Sequence, residues 1–168
     1  MCWFESKQSI IMQKYHFSWQ FRYLWSCFIG LSFADDIYER NNCTKVKEDV
    51  SGTTLIDNGL SSYISRMKTI DHDIHADLSI CQLPANDATE NLPLDILGDS
   101  SDRNGFCYFF DAGAMETMIS YASDTWHCPV VFYTNPVHDS TSYQDMVTLI
   151  LQIQKKWEVC VIRQHLSN

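Results

Sequence analysis

The feature that most restricts this chain is an alternation of two apolar patterns. Short continuous runs bounded by turn residues occur at 76–83 (ADLSICQL), 129–133 (PVVFY) and 159–162 (VCVI). Runs of that length and composition suit strands buried on both faces, as in a parallel sheet. Between them lie segments whose apolar residues return every three or four positions, the spacing of one helix face. In 61–70 these are Tyr63, Ile64, Met67 and Ile70; in 111–125 they are Met115, Met118, Ile119 and Ala122, behind an Asp111 cap. In 142–157 the stripe is Met146, Leu149, Ile150, Ile153 and Trp157. Residues 45–50 alternate as an edge-like strand would and lead into a loop of Ser51, Gly52, Thr53 and Thr54. Residues 32–40 read as a short helix with Ser32 as its N-cap.

Strand, helix, strand repeated in this way predicts a three-layer α/β sandwich with a mostly parallel sheet, since each crossover must return right-handed over the sheet. At 168 residues the chain suits one such domain. Ligands of these sheets sit beyond the carboxyl ends of the strands, which here carry Gly52, residues 84–87 and residues 134–139. Residues 84–105, rich in Asn, Asp, Ser and Pro, read as a long surface loop. Residues 1–31 hold many aromatics in no clear period and stay unassigned, so the domain is placed at 32–168.

Charge and cysteine usage remove several function classes. The formal charge of −9, with scattered Lys and Arg, is unsuited to a nucleic-acid surface. The apolar run at 23–34 is too short and polar to span a bilayer. The cytoplasm is the expected location. Secretion is the alternative, in which 32–34 would be a cleavage site and Asn42, Cys43 and Thr44 a glycosylation sequon. Seven widely spaced cysteines without a Cys-x-x-Cys pair read as reduced and structural. There is no glycine-rich phosphate loop, so no nucleotide cofactor is expected. The stretch of Asp71, His72, Asp73, His75 and Asp77 reads as a solvated turn rather than a metal site, because no further ligand is placed by sequence.

Two blocks then stand out: 47–55 (KEDVSGTTL) and 80–89 (ICQLPANDAT). Together they resemble the second and third blocks of the SGNH (GDSL-like) ester hydrolases, where one strand ends at a loop Gly and the next at an Asn usually followed by Asp. The strand at 128–134 and the helix to Trp157 are similar to one bacterial branch of that family. The resemblance implies that Gly52 offers a backbone N–H, and Asn86 its side-chain amide, to the oxyanion formed when an ester carbonyl is attacked. Such donors must be fixed in advance. A glycine lets the N–H approach without a Cβ in the way, and a carboxamide donates without bringing negative charge. Alone, each is an ordinary turn or cap; at matching strand ends they gain functional meaning.

The chain departs from the family at both ends. In place of a Gly-Asp-Ser nucleophile turn it has Gly30, Leu31 and Ser32, which makes Ser32 the candidate nucleophile or simply a helix cap. About twenty residues separate Ser32 from Gly52. No Asp-x-x-His block follows the last strand: His165 stands without the Asp, and His138 adjoins Asp139 directly. The expectation is therefore a relative of serine ester hydrolases, acting on acyl or acetyl esters of carbohydrates or small molecules, with Ser32, Gly52 and Asn86 as site residues and the base unidentified. The alternative is a truncated, non-catalytic remnant or binding module of the same fold. A flavodoxin-like binding domain is a third reading. No sequence feature sets an oligomeric state.

Overall fold

The computed structural model describes residues 18–19, 40, 46–48, 50, 52–57, 61–95, 97, 106–107, 109–135 and 140–163. Ser32, His138, Asp139 and His165 lie outside these residues. So does the helix expected at 32–40, apart from a helical Arg40.

Five strands form one sheet: β1 (Ser18–Trp19), β2 (Lys47–Glu48), β3 (Ser79–Gln82), β4 (Val130–Tyr133) and β5 (Cys160–Ile162). Their order is β2-β1-β3-β4-β5, and every pairing is parallel. This is the doubly wound order whose ligands sit where the strand sequence reverses, next to β1 and β3. β1 comes from the segment that had no reading by pattern, yet it pairs with both β2 and β3, with Trp19 opposite Glu48 and Cys81. A central strand need not alternate, so period alone does not reveal it. β2 lies at the edge, as its alternation suggested.

The helices are α1 (Tyr63–Met67), α2 (Asn86–Thr89), α3 (Asp111–Thr125) and α4 (Thr141–Trp157). α1 opens on a capping box in which Ser62 and Ser65 satisfy each other's backbone N–H. α4 opens on Ser140, whose hydroxyl accepts from the Tyr143 N–H, and ends at Glu158 in the left-handed region. α3 differs from expectation at its start. The N-cap is Phe110, and Asp111 is the first helical residue with its side chain turned inward and fully buried. α2 is a second correction: the supposed surface loop begins with a helical turn whose Asp87 and Ala88 are buried. A four-residue turn is too short for any apolar period to announce it.

α3 packs against α1 and α4, which groups these helices in one layer, as right-handed crossovers in this strand order require. Val130, Val131, Phe132 and Tyr133 are all buried. Because successive side chains point to opposite faces, the sheet is covered on both sides at β4. The core between sheet and helices is filled by Phe132, Leu83, Met115, Met118, Met146, Ile150 and Ile153, each at most 2% exposed.

A candidate site at the ends of β2 and β3

The chain leaving β2 turns at Gly52, whose φ of +81° lies in the left-handed region that only glycine enters freely. Gly52 is exposed, and a Cβ built on it would meet nothing within 4 Å, so the space beside this backbone is open. The two threonines that follow are buried and spend their hydroxyls on the loop itself: Thr53 donates to the Val50 carbonyl at 2.8 Å and Thr54 to that of Ile56 at 3.1 Å. Thr54 also bridges to Ser62, with the Tyr63 N–H donating to its carbonyl at 2.9 Å.

Asn86 opens α2 just past β3. Its Nδ2 donates to the carbonyl of Thr53 at 2.9 Å, which brings the carboxamide against the residue that follows Gly52. One amide proton of Asn86 is thereby used to hold orientation. The carboxamide has two. The sequence-selected pair Gly52 and Asn86 is thus brought together beyond the ends of β2 and β3, the two strands that flank β1, 33 residues of chain apart for the Asn86–Thr53 contact.

The neighbour of Asn86 fixes this arrangement. Asp87 is 1% exposed, and its carboxylate receives the Leu55 N–H at 2.9 Å on each oxygen and the Ile56 N–H at 3.2 Å on Oδ1. The Asn-Asp dipeptide therefore does two jobs. Asn86 orients toward the turn, and Asp87 grips the far side of the same loop by charge-assisted hydrogen bonds.

No protein-family model matches the chain, and no curated relative matches it. Solved structures do. A protein from Lactobacillus plantarum superposes with a TM-score of 0.71 at 15% identity, over 90% of this chain and 77% of that one. A GDSL-like lipase from Bacteroides ovatus gives 0.64 at 16% identity over 90% and 86%, and one from Bacteroides uniformis 0.66 at 12% over 92% and 85%. The fold is that of the GDSL-like hydrolases.

Within this GDSL-like fold, the carboxyl that faces Asp87 is Asp111, at the start of α3. Burial pushes both up: Asp87 to about 6, against the opposing pull of the Leu55 and Ile56 amides, and Asp111 to about 8, with the Asp87 charge adding to burial. Cys81 on β3 feels the same corner, its thiol raised by burial and by Asp87. Burial also raises Cys128, to about 11, so neither buried cysteine offers a thiolate at neutral pH. Cys107 and Cys160 are likewise free thiols.

Two features escaped the sequence reading. Tyr143 is 1% exposed, and its hydroxyl donates to the Leu83 carbonyl at 3.3 Å while accepting the Asn135 N–H at 2.8 Å. It ties the ends of β3 and β4 to α4. Gln82 bonds Asn135 and accepts from the Tyr133 hydroxyl, making a buried polar seam beside the same strand ends. In the sequence Tyr143 was one more aromatic near a helix start, with no sign that its hydroxyl turns inward. The Asp71 to Asp77 turn has no such convergence: His72 meets the Tyr121 hydroxyl at 2.9 Å, and His75 is exposed with Asp77 at 3.9 Å. Among the described residues no cluster of three or more metal-binding side chains forms, and no helix is long and apolar enough to cross a membrane.

Proposed function

We propose that the chain acts on a small-molecule or carbohydrate ester, holding the carbonyl oxygen with the Gly52 N–H and the free amide proton of Asn86, with Ser32 as nucleophile. The observation that carries this reading is the 2.9 Å bond from Asn86 Nδ2 to the Thr53 carbonyl, which sets the carboxamide beside an open glycine turn. Attack on an ester moves charge onto oxygen, and two donors held in advance lower that barrier without reorganising. The GDSL-like fold of the chain supports the same chemistry.

Turnover of p-nitrophenyl acetate tests it. Asn86→Ala should lower the rate about a hundredfold, the usual cost of losing one such donor, and Ser32→Ala should abolish both turnover and labelling by a fluorophosphonate. A wild-type rate equal to that of buffer sinks the enzyme reading.

A second reading, a binding module that keeps the pocket without turnover, draws on one observation. The nucleophile turn of the resembled family follows the first strand directly, whereas the residues after Trp19 are Gln20, Phe21, Arg22, Tyr23, Leu24 and Trp25, and Ser32 comes later still. Saturable binding of a non-hydrolysable ester analogue, lost in Asn86→Ala and with no turnover in the parent chain, would favour this module.

A further inference from the structure

At the buried corner between the 52–56 loop, α2 and α3, two facing carboxyls are treated very differently by the backbone. Asp87 receives the amides of Leu55 and Ile56. Asp111 is fully buried, and neither of its oxygens has a donor from the described residues. Two carboxylates in contact, away from water, cannot both stay ionised. The proton belongs on the one without amide donors, since ionised oxygens are stabilised by N–H groups and bare ones are not.

We propose that Asp111 is a positioning residue for the candidate ester site: as a neutral carboxylic acid it donates a hydrogen bond to Asp87, and through the amides Asp87 grips it sets the 52–56 loop beside Asn86. This rests on the reading of Gly52 and Asn86 as oxyanion donors. The backbone of α3 is itself tethered here, with the Asp111 N–H donating to the Pro93 carbonyl and the Ala112 N–H to that of Leu94, each at 3.3 Å. Asp111 is therefore held by the chain and not by its carboxyl, leaving the side chain to serve Asp87. Among the described residues, the other titratable groups at this corner are Cys81 from β3, raised by burial and by the Asp87 charge, and Asp145 from α4, which shares with Asp111 the wall of a cavity of about 100 Å3. Neither supplies a positive charge that would let Asp111 ionise. The raised position of Asp111, with Asp87 lower, agrees with a proton resident on Asp111.

The full chain, labelled with 15N and with 13C at the aspartate carboxyls, tests this by nuclear magnetic resonance from pH 4.5 to 9. In the wild type, one buried carboxyl should stay protonated at neutral pH, and the Leu55 and Ile56 amide shifts should follow its titration. Asp111→Asn keeps a donor but cannot ionise. It should keep those amides slow to exchange and erase the upper titration step. Asp111→Leu should speed their exchange tenfold or more and move the Asn86 side-chain amide shift. Unchanged exchange in Asp111→Leu overturns the proposal. Should that variant not fold, an upper step that persists in Asp111→Asn overturns it equally. Ester turnover is read separately: if wild type has none while the amides behave as expected, the ester reading falls and the Asp111–Asp87 linkage stands.

Discussion

The β4–α4 half of the domain and the corner at 52–56, 86–87 and 111 are both buried, but they are held by opposite means. In the first, Val130–Tyr133 and the inner face of Thr141–Trp157 exclude water with aliphatic and aromatic side chains. That attraction is non-directional and spread over many contacts. In the second, one carboxylate holds three short N–H contacts from two loop amides and faces another acid. Directional bonds in a dry setting define a loop more sharply, and each costs more when unmade. A substitution in the first region should lower stability and leave the shape of the site alone. In the second, the site itself should change.

Phe132→Ala offers the largest effect. Phe132 is 1% exposed, and truncation should remove about 3–5 kcal/mol, read from the urea midpoint. Ester turnover per folded molecule should remain. If turnover falls as steeply as stability, the two regions are not separable. Asp87→Ala comes next, leaving the Leu55 and Ile56 amides buried without an acceptor at about 2–4 kcal/mol in total. Here turnover per folded molecule should collapse, and a retained rate would break the contrast.

Gly113→Ala probes the seam between the regions. A Cβ there would lie 2.2 Å from the Cys107 carbonyl oxygen, so the loop entering α3 must shift. Overpacking of this kind costs about 1–3 kcal/mol, measurable by thermal melting. At the low end, Ser140→Ala removes the α4 cap and should cost about 1 kcal/mol with no change in turnover.

Acidity separates the regions without mutation. Asp87 and Asp111 both sit above their ordinary value of 3.8, at about 6 and about 8. A raised carboxyl binds its proton more tightly in the folded state. Its contribution is complete below about pH 3.8 and fades as pH rises through the folded values. The melting temperature should therefore fall from pH 5 to pH 8.5, and Asp111→Asn should flatten the upper part of that slope. A flat wild-type profile would mean the two carboxyls are not shielded as described.

Much of the scaffold was legible because its signals are local. Val130–Tyr133 reads as a buried strand from its own residues, and α4 from the stripe ending at Trp157. The Gly52 turn and Asn86 were legible as a pair because residues 47–55 and 80–89 together resemble two blocks of one hydrolase family. β1 was not, since a two-residue stretch amid irregular aromatics carries no period. Asp111 was misread as a cap because Asp at a helix start usually is one; here its side chain turns inward to another acid.

What the sequence determined by itself is the parallel α/β architecture and the places of the Gly52 turn and Asn86 at its strand ends, because apolar spacing and backbone freedom are properties of a few consecutive residues. What only the tertiary structure decided is that Asp87 grips Leu55 and Ile56 from about thirty residues away, and that Asp111 is buried without a donor from the described residues. The protonation of a carboxyl depends on which distant groups shut out water and which donors reach it, and chain order does not fix either.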